Sequence, residues 1–146
     1  MSLFDDKAIA RDIIMDNYQN PHHKQVIDLP ETTSKHMASD SCIDDITVYM
    51  HFDGDTIDHA SFDGVGCTIS TASTSILMDL INGKTKQQAK MIIDNYMAML
   101  DERPYDPSIL QEAVIFKDVS KSANRIHCAT IGWRGALACL GEKIDE

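Results

Sequence analysis

The hydrophobic pattern of the chain changes its period once, sharply, in "SFDGVGCTIS" (residues 61–70). Before this point, apolar and polar residues alternate in "ITVYMHF", and after the turn "DGD" the segment "TIDHASF" returns as a second strand, which predicts a β-hairpin. After Gly66, apolar residues follow a helical spacing that closes at Asn82 and Gly83. A small antiparallel sheet followed by helices is typical of an α+β fold.

The segments that flank the hairpin add helices and one short strand. Ser2 is expected to cap a first helix, with Asp5 and Asp6 in its opening turn, that ends before Pro21. A short edge strand is expected near Lys35 to Ala38. Because 146 residues usually form one domain and no repeat or boundary is visible, we expect residues 1–146 to form a single domain.

Helical spacing also runs through the second half of the chain. It predicts a helix from about Lys86, a weaker one in "ILQEAVIF", and a last helix from about Asn124. The last helix carries a core stripe of Ala129, Trp133, Leu137, Leu140 and Ile144. Small groups form its second face, namely Cys128, Gly132, Gly135 and Cys139.

Charge and apolar content limit the partners and the compartment. The net charge of -10 argues against nucleic acid or an anionic membrane and leaves a basic protein surface or a cation. No apolar stretch is long enough for a membrane span, and acids stand where a secretory signal needs basic and then apolar residues. We therefore expect a cytoplasmic protein, whose cysteines are thiols or metal ligands rather than disulfides.

Three of the four cysteines stand near the ends of predicted elements. Cys42 precedes the first hairpin strand, Cys67 lies at the junction of strand and helix, and Cys128 lies in the first turns of the last helix. A helix N-terminus favours a thiolate, the form that binds metal or attacks another sulfur. Cys139, on an apolar helix without chemical neighbours, is interpreted as a small core residue.

Three short segments resemble a known family: "CID" at 42–44, "GVGCTISTAS" around Cys67, and "RIHCATIGW" at 125–133. They are similar to the SufU branch of the IscU-like iron-sulfur assembly proteins, also seen as the N-terminal part of NifU. The long stretch between Cys67 and Cys128 resembles the insertion typical of that branch, and "SANRIH" stands where IscU proteins have "LPPVK". The resemblance implies a SufE/NifU-like fold with an N-terminal helix, a small antiparallel sheet and helices packed on it.

The resemblance also implies a site and a function. In SufU-like proteins one Zn(II) is held by an aspartate and three cysteines, which correspond here to Cys42, Asp44, Cys67 and Cys128. Three thiolates and a carboxylate suit tetrahedral zinc and leave net negative charge. Arg125 could balance this charge as a supporting cation, or it could be an exposed surface residue. Cys42 would accept persulfide sulfur from a SufS-type, PLP-dependent cysteine desulfurase and pass it to downstream Suf assembly proteins. This is sulfurtransferase chemistry rather than turnover of a small-molecule substrate.

Some residues depart from the family pattern. Ile43 stands where the family usually has glycine, and a branched side chain restricts the loop that carries Cys42 and Asp44. His127 could be an alternative ligand, a proton donor or a surface residue. The adjacent His22 and His23 could bind metal weakly or lie in a solvated loop, and no partner is assigned to the remaining histidines, His36, His51 and His59.

Two alternatives to sulfur transfer stay open at this point. The same four ligands could hold a transient, nascent iron-sulfur cluster on a scaffold that hands it on. Alternatively, the zinc could be purely structural in a domain without catalytic function.

Overall fold

The computed structural model of the protein describes residues 3–38 and 43–144. Ser2, expected to cap the first helix, and Cys42, expected to bind metal and accept sulfur, lie outside the described residues. Within the described residues, a first helix is followed by a sheet and then by further helices, which confirms the predicted α+β class.

Most expected elements are present. The sheet contains three antiparallel strands in the order β1 (Thr33–Ala38), β2 (Asp45–Asp53) and β3 (Thr56–Val65). The α-helices are α1 (Lys7–Gln19), α2 (Thr68–Ile81), α3 (Lys86–Leu100), α4 (Pro107–Leu110) and α5 (Ala123–Cys139). Two 3-10 segments, Leu3–Asp5 and Gln111–Lys121, precede α1 and α5. The expected edge strand is β1, and the weak helical signal in residues 109–116 falls on α4 and the 3-10 segment after it.

Helix α1 begins later than the sequence pattern predicts, because Asp6 caps it. The Asp6 carboxylate accepts hydrogen bonds from the backbone N–H groups of Ala8 at 2.9 Å and Ile9 at 3.3 Å. These first-turn groups have no acceptor inside the helix, so the cap sets where the helix starts. The helix ends before Pro21, as predicted.

The inner face of the sheet follows the predicted alternation. The buried side chains on this face include Ile46, Val48, Met50, Ala60 and Phe62. Helices α2 and α5 pack against the sheet, and the apolar residues of the three elements form one core cluster. The alternate residues Thr47, Tyr49 and His51 of β2 are half-buried on the outer face of the sheet. The chain thus leads from β3 through a short junction into the buried helix α2.

A β-bulge interrupts the pairing of β2 with β3. His51 pairs with His59, but the next residue of β2, Phe52, pairs with Ile57, so Asp58 has no partner residue across the ladder. Ile57 and Ala60 are consequently both buried although three positions apart. The predicted hairpin is therefore present, with a bulge at Asp58 that the sequence did not predict.

Helix α5 contains the central aromatic contact of the core. The Trp133 ring stacks on Tyr96 of α3 with centroids 3.5 Å apart, and its N–H donates to the Ser73 carbonyl of α2 at 3.2 Å. The helix ends at Cys139, so the predicted core stripe stops being helical before Ile144, which is partly buried beyond the helix. Among the described residues, no helix is both long and apolar enough to cross a membrane.

Candidate metal centre

Asp44 connects the loop before β2 to the start of α2. Its side chain is buried, with the residue 1% exposed. One carboxylate oxygen, Oδ1, accepts hydrogen bonds from the backbone N–H of Cys67 and from the hydroxyl of Ser70, each at 2.8 Å. A helix N-terminus supplies unpaired N–H groups and a positive dipole end, so a buried carboxylate is stabilised there.

Cys67 is the N-cap residue of α2. Its backbone is extended, with φ −69° and ψ 174°, and its Sγ accepts a hydrogen bond from the Ser70 N–H at 3.4 Å. The residue is half-buried. This hydrogen bond orients the sulfur at the start of α2, and metal binding uses the thiolate form of a cysteine.

Gly64 allows the two strands to approach closely beside Cys67. It pairs with Ile46 and has a φ of +127°, and a Cβ atom there would lie 2.0 Å from the carbonyl oxygen of Asp45. A side chain at this position would force β2 and β3 apart next to Asp44. Because Gly64 has no side chain, β2 and β3 can stay close together at the place where Asp44 meets α2.

Cys128 reaches the same place from the last helix. It lies half-buried in the second turn of α5, and Gly132, one turn later, lies against the Thr74 side chain of α2. One ligand atom each from Asp44, Cys67 and Cys128 lie within 4.8 Å of one another. Donor atoms around a tetrahedral zinc lie roughly 3.3–3.8 Å apart, given metal–ligand distances of 2.0–2.3 Å. These three residues thus form a set that fits zinc after small side-chain adjustment.

Ile43, which stands where the family usually has glycine, does not displace Asp44 from the site. The Ile43 side chain points to solvent and the residue is 66% exposed, while the next residue, Asp44, is buried. The branched side chain is therefore compatible with the position of Asp44. Cys42, the fourth expected ligand, lies outside the described residues.

Arg125, the expected supporting cation, is exposed on α5, and no hydrogen bond or ion pair of its side chain is found within the described part of the chain. A different arginine approaches the site: the Arg134 guanidinium lies 3.0 Å from Nδ1 of His127. Sequence reasoning missed Arg134, which lies two turns further along α5 from His127. The spacing of two helical turns, which places Arg134 and His127 on the same face of α5, was the sequence signal that could have indicated this contact.

His127 is kept neutral by its surroundings. Burial lowers its pKa below the ordinary value, the neighbouring Arg134 charge lowers it further, and the Asp44 carboxylate acts in the opposite direction. Because Arg134 donates to Nδ1, the ring proton is placed on Nε2, which is buried and has no hydrogen-bond partner among the described residues. His127 is thus positioned as an N–H donor more readily than as a metal ligand.

The other cysteine and the other histidines take separate roles. Cys139 is buried as expected, and burial raises the pKa of its thiol to about 12, so it is unreactive at neutral pH. Each remaining histidine contacts a carboxylate. The contacts are His22 and His23 with Asp79, His36 with Asp45, and His51 and His59 with Asp58.

Comparison with known proteins agrees with the geometry. The family described as NifU-like N terminal domain matches residues 9–141. The chain is 37% identical over 128 residues to "Zinc-dependent sulfurtransferase SufU" of Bacillus subtilis, covering 87% of this chain and 86% of that one. It is 35% identical over 123 residues to "Iron-sulfur cluster assembly scaffold protein IscU" of Streptococcus pyogenes, covering 83% and 76%.

Solved structures show the same fold. The crystal structure of an iron-sulfur cluster assembly scaffold protein for the SUF system (FiSufU) from Fervidobacterium islandicum is 32% identical, with a TM-score of 0.78, and the alignment covers 88% of this chain and 94% of that one. A NifU-like N-terminal protein from Brucella abortus has the same fold at 16% identity, with a TM-score of 0.80 and coverage of 93% and 96%. The family match spans nearly the whole described fold and includes Asp44, Cys67 and Cys128. The chain therefore belongs to the NifU-like N-terminal domain family, as the resemblance of its cysteine segments predicted.

Proposed function

We propose that the protein acts in iron-sulfur cluster assembly as a zinc-dependent sulfur carrier. The observation that carries the proposal is the convergence of Asp44, Cys67 and Cys128 at the N-terminus of α2. The description of the Bacillus subtilis relative as a zinc-dependent sulfurtransferase supports the same function.

Zinc suits the donors at this place. Two thiolate sulfurs and one carboxylate oxygen are ligands that Zn(II) accepts in tetrahedral sites, and Cys42 would be the fourth. When bound, the metal supplies positive charge that favours deprotonated thiols near neutral pH. Asp44 is ready for this role because its two hydrogen bonds fix the orientation of the carboxylate.

Cys42 is the proposed sulfur acceptor. Its thiolate attacks the terminal sulfur of a persulfide on the donor protein. The S–S bond of the donor breaks, and the donor cysteine leaves as a thiolate with the bonding electron pair. A new S–S bond forms on Cys42, so one sulfur atom moves and no external oxidant or reductant is needed.

A SufS-type cysteine desulfurase is the proposed donor, and downstream Suf assembly proteins are the proposed acceptors. The PLP cofactor of that reaction belongs to the desulfurase. The net charge of -10 would favour docking on a basic protein surface. Arg125, exposed on α5 three residues before Cys128, remains the proposed supporting cation for the negative charge of the site.

His127 would serve the transferred sulfur as a hydrogen-bond donor. Its Nε2 is buried without a partner among the described residues, and Asp44 is close enough to influence the pKa of the His127 ring. A donor beside a developing thiolate stabilises the negative charge that forms there.

A scaffold function is the second candidate, because the Streptococcus pyogenes and Fervidobacterium islandicum relatives are both described as assembly scaffolds. The same cysteines and aspartate would then hold a nascent iron-sulfur cluster as cargo. The two functions differ in what the purified protein carries and in what it does to a desulfurase.

The test combines metal analysis with desulfurase turnover. We expect about one zinc per chain in the freshly purified protein, by analogy with four-ligand zinc sites. We also expect the protein to accelerate cysteine turnover by a SufS-type desulfurase, and Cys42→Ala to abolish this acceleration while keeping its fold. Cys139→Ala is the matched control, because Cys139 is buried, its Sγ contacts the backbone carbonyls of Thr33 and Val48, and it is not part of the three-ligand group.

The alternatives predict different results. Iron and sulfide without acceleration would identify a scaffold. Zinc without acceleration, together with equal loss of folding in Cys42→Ala, Cys67→Ala and Cys128→Ala, would indicate a purely structural metal and contradict the proposal.

A further inference from the structure

The β-bulge at Asp58 gathers two imidazoles and a carboxylate on the outer face of the sheet. Neighbouring residues of a regular strand point to opposite faces. Because Asp58 is the extra residue of the bulge, its side chain joins that of His59 on the same face, opposite His51 of β2. Bulges commonly re-aim a side chain in this way next to functional sites.

The side chains of this group converge closely. His51 Nδ1 lies 2.7 Å from Asp58 Oδ1, and His59 Nδ1 lies 3.4 Å from Asp58 Oδ2. The two imidazole rings meet edge to face, with centroids 6.1 Å apart. One ligand atom from each of the three residues lies within 4.8 Å of the other two.

We propose that His51, Asp58 and His59 form a second metal site that binds a borderline divalent cation such as Zn(II). Imidazole nitrogen and carboxylate oxygen are ligands that Zn(II) accepts, whereas Ca(II) and Mg(II) prefer oxygen alone. Two neutral imidazoles and one carboxylate compensate only half the charge of the ion. The strongly negative chain adds a favourable long-range field.

The charge of Asp58 suits a metal. Hydrogen bonding to His51 is the main cause that lowers the pKa of Asp58 below its usual value, so this residue is a carboxylate at neutral pH. The side chains remain reachable from solvent, at 23% exposure for His51, 32% for Asp58 and 54% for His59. An ion can therefore enter, and water can complete its coordination.

This second group is separate from the cysteine site. Asp44 immediately precedes β2 and His51 lies near the far end of that strand, roughly 23 Å away at the rise of about 3.3 Å per strand residue. The proposal does not depend on sulfur transfer, and either site can exist without the other.

His36 offers a matched comparison on the same sheet. Its Nε2 lies 2.6 Å from Asp45 Oδ1, so it reproduces one exposed imidazole–carboxylate contact. That pair is not part of either of the three-ligand groups found among the described residues. A pair binds a divalent cation much more weakly than three converging ligands do.

The experiment starts from protein that already holds one zinc equivalent in the cysteine site. Zinc chloride is added in a calorimeter at neutral pH, and the imidazole signals are followed by NMR. We expect a second zinc to bind and to shift the His51 and His59 signals. His51→Gln and His59→Gln should each lower the affinity for the second zinc about tenfold or more, because loss of even an outer hydrogen-bond partner weakens metal binding by about 10–100-fold.

His36→Gln should leave this second binding event unchanged. Circular dichroism would establish that the variants are folded. The proposal is overturned if added zinc leaves the His51 and His59 signals of the wild-type protein unchanged, or if both glutamine variants bind that zinc as tightly as the wild type does. Loss of the second zinc in Asp79→Asn, but not in His51→Gln or His59→Gln, would place the ion at His22 and His23 and would equally overturn it.

Discussion

At the residue scale, Ser70 links Asp44 to α2 through a hydrogen bond. Its hydroxyl donates to Asp44 Oδ1, and its backbone N–H donates to the Cys67 sulfur. One residue therefore contacts two of the proposed ligands. Such outer contacts orient metal ligands and tune their affinity.

We predict that Ser70→Ala weakens zinc binding about 10–100-fold, the range for lost outer-shell partners. It should also lower the free energy of unfolding by about 1.5–3 kcal/mol, because a buried carboxylate loses a hydrogen bond. Competition with a chromophoric chelator and urea denaturation measure the two effects. Ser73→Ala is the control, since its buried hydroxyl donates to the Ser70 carbonyl and not to Asp44. Equal zinc affinity in both variants would contradict the role of Ser70.

At the scale of elements, the contact of α5 with α2 holds Cys128 beside Cys67. Gly132 makes this contact possible, because a Cβ atom there would lie 2.1 Å from Oγ1 of Thr74 and 2.7 Å from its Cγ2. The row of small groups on α5, interpreted from sequence as a second face, thus lets the helix approach its neighbour.

We expect Gly132→Ala to destabilise the fold by about 1–3 kcal/mol, the usual effect of overpacking. The displaced α5 should also carry Cys128 away from Cys67 and weaken zinc binding. Denaturation midpoints measure the loss of stability, and zinc titration measures the loss of affinity. The double variant Gly132→Ala with Thr74→Ala removes part of the clash, so it should be less destabilised than the sum of the two single variants. If the destabilisation of the double variant equals the sum of the two single variants, the clash between position 132 and Thr74 is not the cause of the destabilisation.

At the scale of the whole molecule, the proposed zinc would join three parts of the fold. Asp44 precedes β2, Cys67 begins α2 and Cys128 belongs to α5. A ligand that binds only the folded state stabilises it by about 4 kcal/mol when its concentration is 1,000 times its dissociation constant. We propose that residues 1–146 unfold as one unit, since one apolar core connects the sheet with the helices.

Removal of zinc with a chelator should therefore lower the melting temperature of the wild-type protein in a single cooperative transition. The same treatment should have little effect on Cys128→Ser, which lacks a proposed ligand, and should keep its effect on Cys139→Ala. Differential scanning calorimetry with and without chelator provides the comparison. An unchanged wild-type melting temperature would argue against a metal that connects these elements.

The sequence by itself determined the order of elements and the family. Alternating residues predicted the hairpin, helical spacing predicted α2, α3 and α5, and the glycines beside Cys67 marked the junction. These features are local, because strand and helix periods are properties of neighbouring residues. The candidate ligands Asp44, Cys67 and Cys128, together with Cys42, came instead from the resemblance of the cysteine segments to a known family.

Only the tertiary structure decided which distant side chains meet. The bulge at Asp58, the contact of Arg134 with His127 and the carboxylate partners of the histidines were not predicted. The physical reason is strand register and helix packing: a shift of one residue moves a side chain to the opposite face of a sheet, and local spacing does not record such a shift.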